Sequence, residues 1–316
     1  MPIVKVSDLA YARLQSPSLD EAEEFLTAFG LVRTERTHDR LYMRGTDAPH
    51  HIHVTHLGPS RFIGLAFYVE SEDDLKRVAG APGASGVEHA DEPGGGQRVR
   101  LTDPLGYPLE VVFGMQQLAP LPTPVLVLNT GSDKLRRSGE FLRLEPRRPS
   151  HVKRIAHAVL MAPNALEKIR WYRETLGLLA SDEVYEGSAD NVVASFNRCD
   201  RGERFVDHHT LLCFESPNAG LNHISFEVQS FDDLMVGHEL LKQRGKYRHV
   251  WGVGRHLLGS QVFDYWEDPW RRVHEHWTDS DVLNVHAAAG LHPIEIGLSN
   301  QWGDPPPQEF VRHAIP

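Results

Sequence analysis

The segment IAHAVLMAPNALEKIRWYRETLGL, residues 155–178, has the pattern of a short strand, an amphipathic helix and a glycine stop. Asn164 is a residue type that caps helices, and Gly177 follows the last apolar turn. A similar segment, LAYARLQSPSLDEAEEFLTAFGL, occupies residues 9–31, with Ser18 at the capping position. The chain is therefore predicted to contain an internal repeat.

The correspondence between the two halves continues beyond these helices. Residues 62–69 and 221–228 have the pattern of strands, and each leads into an acidic helix start. An Asp-Pro turn then precedes a strand that carries a glutamate, which is Glu110 in the first half and Glu275 in the second. The order strand, helix, strands, helix, strands predicts an α+β fold in which one module is used twice.

These matches divide the chain into four parts. We expect a first module over residues 1–115, a linker over 116–150, a second module over 151–280 and a tail over 281–316. The linker is predicted from its prolines, which are Pro120, Pro122, Pro124, Pro146 and Pro149. The tail is rich in proline, and such tails often pack over a site or over a subunit interface; the sequence leaves both open.

The composition narrows the function classes. A chain of 316 residues that is 41% hydrophobic and 24% charged is predicted to form about two globular domains. The formal net charge of −10 disfavours nucleic-acid binding, and no apolar run approaches the ~18 residues that a membrane span needs. No secretory signal is visible and Cys199 and Cys213 are the only cysteines, so we expect a reducing cytoplasm. The 19 histidines point to metal sites.

Three ligand-type residues, His157, His223 and Glu275, lie on separate predicted strands of the second half. At the matching positions the first half has Tyr11, Gly64 and a glutamate, so it is not expected to bind a metal there. Two imidazoles and one carboxylate form the facial triad of non-haem Fe(II) oxygenases. A single strand histidine is more often structural, but three matched positions favour a metal centre.

Strand alternation predicts the neighbours of these ligands. Ile155 and Val159 are expected on the side of His157, whereas His274 and His276 are expected on the face opposite to that of Glu275.

A histidine cluster also lies at residues 50–56. His51 and His53 would share one face of a strand and could bind a stray metal. No carboxylate accompanies them, so we interpret the cluster as structural or adventitious.

The second module resembles the type I extradiol (catechol 2,3-dioxygenase-like) ring-cleaving dioxygenases of the vicinal oxygen chelate superfamily. The resemblance covers nearly the whole chain and is strongest over residues 157–278. Its most specific part is Gly-Arg-His at 254–256, followed by Tyr265, an Asp-Pro turn and Glu275. It implies two tandem modules built from paired βαβββ repeats, which form curled half-barrel sheets.

Two features depart from the family pattern. Arg271 stands where the family usually has Gly or Pro, and His274 and His276 flank Glu275 where aliphatic residues are more usual. Both put the local turn shape in question, and neither affects the ligands.

The resemblance implies that His157, His223 and Glu275 bind Fe(II), with Mn(II) as an alternative, and that a catechol and O₂ are the substrates. It places an acid–base histidine at His209, with His208 as the second choice.

The resemblance further implies that His256 and Tyr265 hydrogen-bond the substrate or its oxygens. Trp251 and His208 are expected to contribute to substrate binding. The family also implies a homo-oligomer, most often a tetramer.

Trp251 also bears on the choice of substrate. Family members that act on carboxylate-bearing catechols place an arginine just before the Gly-Arg-His turn, where this chain has Trp251. We therefore expect a catechol with an apolar or uncharged substituent, in aromatic-compound catabolism. Arg201 and Arg248 are other sources of positive charge, and the sequence does not place them.

Two other readings of the sequence stay open. One is a metal-independent, bleomycin-resistance-like protein that sequesters a ligand, which would not need the three metal ligands. The other is a hydroquinone-cleaving or glyoxalase-like relative. Isomerases of the latter kind generally draw ligands from both modules, whereas here the first module lacks both histidines.

Overall fold

The computed structural model describes residues 1–142, 144–145 and 147–316. Pro146 of the predicted linker lies outside the described residues. No helix of the described chain is both long and apolar enough to cross a membrane.

The first half forms one eight-stranded sheet, with strand order β2-β3-β4-β1-β5-β8-β7-β6. Its elements are β1 (Asp8–Ser16), α1 (Leu19–Phe29), β2 (Val32–Arg36), β3 (Arg40–Arg44), β4 (His53–Leu57), β5 (Arg61–Tyr68), α2 (Glu72–Ala79), β6 (Glu88–His89), β7 (Gln97–Thr102) and β8 (Pro108–Phe113). The chain order is strand, helix and three strands, used twice, which confirms the predicted α+β class and its paired βαβββ repeats.

The second half forms a ten-stranded sheet, with strand order β19-β10-β11-β13-β9-β14-β17-β16-β15-β20. Its main elements are β9 (Val152–Ala162), α3 (Ala165–Leu176), β10 (Leu178–Tyr185), β11 (Val192–Cys199), β12 (Val206–Asp207), β13 (Leu211–Glu215), β14 (Gly220–Val228), α4 (Phe231–Arg244), β15 (His249–His256), β16 (Val262–Glu267) and β17 (Val273–Thr278). Strands near both ends of this sheet, β10 and β15, line one cavity, so the sheet curls around it.

The tail continues the second sheet. It contributes β18 (Val282–Leu283), β19 (Gly290–Pro293), α5 (Ile294–Gly297), β20 (Asn300–Trp302) and α6 (Gln308–Val311). β19 extends the sheet beside β10 and β20 extends it beside β15, whereas β18 pairs with β12 in a separate two-stranded sheet. The tail is therefore bound to the second half by backbone hydrogen bonds.

The strand registers confirm the predicted equivalence of the two halves. Tyr11 lies opposite Ala66, which lies opposite Glu110. In the second sheet His157 lies opposite Ser225, which lies opposite Glu275. The two sheets thus align their glutamates with Tyr11 and His157 in the same way.

Gly64 occupies the register position of His223, since Arg13 and Val159 are their respective partners. A Cβ atom at Gly64 would lie 1.8 Å from the carbonyl oxygen of Pro108. No side chain, and so no ligand, fits there.

The two predicted helix caps differ in their side-chain hydrogen bonds. The Ser18 hydroxyl accepts a hydrogen bond from the backbone N–H of Glu21, at 3.2 Å. Asn164 takes the predicted cap position of α3, but its side chain makes no capping hydrogen bond. Glu215 of β13 instead accepts hydrogen bonds from the N–H groups of Asn164 and Ala165.

A β-bulge changes one predicted face. The register shifts by one residue between the pairs of His157 and Ile155, which leaves Ala156 without a partner on β14. Ile155 consequently joins the hydrophobic core with Ala158, while Val159 lines the cavity beside His157. The prediction for Val159 is confirmed, and that for Ile155 is wrong because the bulge reverses the alternation.

Helix α1 packs against the outer face of the second sheet. The rings of Phe29 and His276 stack with centroids 3.7 Å apart, and the Phe25 ring meets His274 edge-on at 5.0 Å. His274 and His276 therefore point away from the cavity, as predicted, and their rings form part of the contact between the two halves.

Arg271 has a φ of 69°. This left-handed backbone conformation favours glycine, which accounts for the glycine that the family pattern often has at this turn.

Candidate metal centre and active site

Three buried side chains converge at the base of the cavity in the second sheet. His157 Nε2 lies 3.0 Å and His223 Nε2 lies 3.4 Å from the same Glu275 oxygen, Oε2. The ligand atoms of all three residues lie within 4.8 Å of one another. The structure thus brings together two imidazoles and one carboxylate, each from a different strand.

The environment of this trio fits a cation. Glu275 is completely buried, and among the described residues neither of its oxygens has a hydrogen-bond partner; His223 Nε2 also has none there. The two imidazoles approach the carboxylate closely, but not in hydrogen-bonding directions. Buried charges are normally paired or bind metals, so these orphaned atoms match the donor set of a divalent metal.

The imidazoles also determine the charge of Glu275. Burial alone would raise the pKa of this carboxyl, but the neighbouring His157 and His223 outweigh burial and hold the pKa well below its usual range. Burial has the opposite effect on an imidazole, and it lowers the pKa of His223. Glu275 is therefore an anionic carboxylate, which is the protonation state that metal ligation requires of a carboxyl group.

Asn222 sets the orientation of His223. Its Oδ1 atom lies 2.7 Å from His223 Nδ1, and its amide nitrogen donates to the carbonyl oxygens of Phe310 and His313, both at 2.9 Å. With Nδ1–H donating to Asn222, the Nε2 lone pair of His223 is directed towards Glu275. Asn222 is not predicted as a functional residue from the sequence, although it directly precedes a proposed ligand.

His209 lies in the cavity wall beside the trio. Its ring centroid is 4.1 Å from that of His157, and burial lowers its pKa well below the usual value. A neutral imidazole in this place is able to accept a proton from a bound substrate.

His208 lies behind His209 and does not line the cavity. Its Nδ1 atom is 3.1 Å from Nδ1 of His209, and its Nε2 atom is 2.7 Å from Asp182. Both ring nitrogens are engaged, so the prediction that His208 contacts the substrate is corrected. Asp182 was not recognised from the sequence because it lies on β10, far from the motif.

Three further predicted residues line the same cavity. His256 Nε2 lies 3.0 Å from the Tyr265 hydroxyl and 3.9 Å from Glu275 Oε1. Burial lowers the pKa of His256 to about 4 and raises that of Tyr265 well above its usual value. The Trp251 ring stacks on Tyr265, with centroids 5.3 Å apart, and its indole N–H donates to the Asp304 carbonyl.

Apart from Gln261 and Asn222, the rest of the cavity is lined by apolar residues. The side chains beyond the polar end are Val184, Ala194, Phe196, Leu212, Phe214, Leu258, Ile294, Leu298, Phe310 and Val311. The last four belong to the tail, which therefore covers the cavity, as one of the two placements expected from the sequence. No lysine or arginine lines the cavity in the part of the chain that the structure describes.

The two arginines that the sequence could not place lie elsewhere. Arg201 pairs with Glu70 of the first half, and Arg248 pairs with Glu267 and Glu309.

An ion-pair network fills the corresponding region of the first sheet. Arg13 Nε and the Tyr11 hydroxyl donate to Glu110 Oε2, at 2.8 and 2.6 Å, and Arg98 reaches Glu110 Oε1 at 3.1 Å. Arg13 also pairs with Glu92. The guanidinium groups of Arg13 and Arg98 thus supply the positive charge beside Glu110.

The histidine cluster at 50–56 is divided between two environments. The His51 ring packs against Tyr11 and Tyr42, whereas the His53 ring stacks on His274 across the two halves. The prediction that His51 and His53 share one face of a strand is therefore wrong, because β4 begins only at His53.

No protein-family model matches the chain. Metapyrocatechase 2 of Cupriavidus necator is 30% identical over 316 residues, which cover 98% of this chain and 92% of the relative.

Two solved structures have the same fold over nearly the whole chain. The Mn(II)-bound glyoxalase from Novosphingobium aromaticivorans has a TM-score of 0.79 and 23% identity, covering 99% of this chain and 96% of the other. A substrate complex of homoprotocatechuate 2,3-dioxygenase from Brevibacterium fuscum, with 3,4-dihydroxyphenylacetate, has a TM-score of 0.81 and 18% identity, covering 99% and 94%.

The chain therefore belongs to the extradiol ring-cleaving dioxygenases of the vicinal oxygen chelate superfamily. It is an enzyme of aromatic ring cleavage, which sets aside the sequestering protein and the isomerase as readings of the sequence.

Proposed function

We propose that the chain cleaves the ring of a catechol with an apolar or uncharged substituent, next to the diol, with Fe(II) bound by His157, His223 and Glu275. The observation that carries this proposal is the orphaned Glu275 carboxylate, which is buried between two imidazoles at the base of an apolar cavity. The Mn(II)-bound structural relative makes Mn(II) the alternative metal.

A bound ferrous ion would act as a Lewis acid and as a template for catechol and O₂. The three ligands would leave coordination positions open towards the cavity, because His157 and His223 line it and Glu275 lies beneath them.

His209 is proposed as the acid–base residue. It is neutral and buried, and it lies beside His157 on the cavity wall, so it is placed to take the proton that a catechol hydroxyl releases on binding. The His208 ring and Asp182 behind it keep the His209 imidazole in position.

Tyr265 and His256 are proposed to hold the substrate oxygens. Their polar atoms lie 3.0 Å apart at the edge of the trio. Neither group changes its protonation state near neutral pH, because the pKa of Tyr265 is raised and that of His256 is lowered. Trp251 stacks on Tyr265 and holds its ring in place.

The substituent of the catechol is proposed to lie against the apolar wall. A carboxylate placed there would be a buried charge without a partner, and its desolvation would cost on the order of several kcal/mol. The tail residues Ile294, Leu298 and Phe310 would close over the substituent and exclude water.

Oxygen uptake tests the proposal. The purified, iron-reconstituted chain should consume O₂ with a simple catechol and form a yellow ring-fission product. Glu275→Gln and His223→Ala should lose both bound iron and uptake, whereas Glu167→Gln, at an exposed glutamate, should retain both. Undiminished uptake by iron-free Glu275→Gln would exclude this site.

The homotetramer and the cytoplasmic location expected from the sequence are part of the same proposal. Light scattering of the purified chain tests the first, and cell fractionation tests the second.

A further inference from the structure

A second group of two imidazoles and a carboxylate lies on the opposite face of the second sheet. His238 comes from α4, His249 from β15 and Asp264 from β16. Tyr265 lines the active-site cavity, so strand alternation directs the adjacent Asp264 to the other side, beneath α4. This cluster is therefore separate from the catalytic trio.

The three side chains converge on one oxygen atom. His249 Nε2 lies 2.8 Å and His238 Nδ1 lies 3.1 Å from Asp264 Oδ1. The ligand atoms of the three residues lie within 4.8 Å of one another. Around a metal with ligand bonds of 2.0–2.2 Å, neighbouring ligand atoms are separated by roughly 3–3.4 Å, so only small side-chain shifts would be needed for coordination.

Trp266 holds the carboxylate from the other side. Its indole N–H donates to Asp264 Oδ2 at 2.6 Å. A metal-binding carboxylate is commonly fixed in this way by a hydrogen bond to its second oxygen. Oδ1 faces both imidazoles, His238 Nδ1 also lies 3.2 Å from Oδ2, and the two imidazole rings meet edge-on with centroids 5.0 Å apart.

Burial and access also suit a metal ion. Asp264 is completely buried, and a buried carboxylate needs a cationic partner. No arginine or lysine is paired with it within the described residues. The His249 side chain is 32% exposed, so an ion can reach the cluster from solvent without opening the sheet.

We propose that His238, His249 and Asp264 form a second, non-catalytic site for a divalent transition metal of the Zn²⁺ class, with water completing the coordination. Two imidazoles and one carboxylate are a ligand set that suits zinc. The ion would tie α4 to β15 and β16 on the outer face. The other reading is a metal-free cluster in which both imidazoles donate hydrogen bonds to Asp264.

Zinc stoichiometry distinguishes the two readings. We would strip the full chain with chelator and measure Zn²⁺ binding by equilibrium dialysis with metal analysis. The wild-type chain should bind one equivalent more than His249→Gln. The control is His286→Gln, which removes an exposed histidine that contacts Glu203, and it should bind as much as the wild type.

The comparison is independent of the catalytic centre, because the difference between wild type and His249→Gln does not depend on what the trio binds. Repeating it in a His223→Ala background should leave that difference intact. Equal zinc binding by wild type and His249→Gln would overturn the proposal.

His238→Gln provides a second variant, with far-UV circular dichroism as the folding control. In addition, Co²⁺ in place of Zn²⁺ should give visible absorption bands that are present in the His223→Ala chain and absent from the His223→Ala/His238→Gln chain. Identical spectra from these two chains would likewise overturn the proposal.

Discussion

The side chains of the adjacent residues Asn222 and His223 are joined by a hydrogen bond of 2.7 Å between Asn222 Oδ1 and His223 Nδ1. The same amide donates to the carbonyl oxygens of Phe310 and His313 in the tail. One side chain thus couples the orientation of a proposed metal ligand to the segment that closes the cavity.

Asn222→Ala should weaken metal binding. The variant frees the His223 ring to rotate and leaves two tail carbonyls without a donor, and loss of such an outer partner typically costs about 10–100-fold in metal affinity. Competition with a chromophoric chelator measures the change. Asn218→Ala, at an exposed asparagine four residues earlier, is the matched control and should bind metal normally. Equal affinities of the two variants would show that Asn222 does not position the ligand.

His209→Phe should retain metal and lose turnover. Removal of a positioned acid–base imidazole lowers kcat by about 10²–10⁴-fold, while His157, His223 and Glu275 are untouched. Metal analysis and oxygen-electrode rates on the same sample separate the two effects. A normal kcat would remove His209 from the mechanism.

Tyr265→Phe should behave in a similar way, because it deletes the hydroxyl that lies 3.0 Å from His256 without changing the ring packing against Trp251. Tyr185→Phe, on β10 and outside the cavity lining, is the control and should have wild-type rates. Equal rates for both tyrosine variants would contradict the proposed role.

The substrate preference should favour 4-methylcatechol over 3,4-dihydroxyphenylacetate. Among the described residues the apolar wall offers no cation to the acid, and an energetic penalty above about 1.4 kcal/mol gives more than a tenfold difference. The ratio of kcat/KM values for the two compounds is the measurement. A strong preference for the acid would reject the proposed substrate class.

Arg272→Met should destabilise the contact between the two halves. Arg272 is buried and donates to Asp268 Oδ2 at 2.6 Å, to the Gln15 carbonyl at 2.6 Å and to the Ser16 hydroxyl at 2.8 Å. Removing one partner of a buried ion pair typically costs about 3–5 kcal/mol. Urea unfolding measures the loss. Arg271→Met, at a side chain that is 70% exposed, should change the free energy of unfolding far less.

Acidification should destabilise the first half. Burial, reinforced by the Arg13 guanidinium, lowers the pKa of His51 to about 3 and that of His56 to about 4. Below the ordinary histidine pKa the unfolded chain binds protons that the folded chain does not, so the free energy of unfolding falls as the pH falls from about 6.5.

Urea unfolding between about pH 7.5 and about pH 5 measures this slope. His51→Gln should reduce it, whereas His38→Gln, at a side chain that is 93% exposed, should leave it unchanged. A slope unaffected by His51→Gln would contradict the assignment.

The sequence by itself determined the duplicated α+β fold and the three candidate ligands. Strand position is a local property, and a duplicated module repeats it, so Tyr11 and His157, and likewise Gly64 and His223, are recognisable from the sequence as equivalent positions. The glutamate strands and the Gly-Arg-His turn were recognisable for the same reason.

Only the tertiary structure decided what surrounds these positions. A single unpaired residue, Ala156, moved Ile155 into the core, and no pattern in the sequence marks such a bulge. The tail closes the cavity through Phe310, Asp182 supports His208, and Asp264 collects His238 and His249 from separate elements. These contacts join residues that are far apart in the chain. They depend on how the sheets curl and on which helices cover them, so the sequence alone did not predict them.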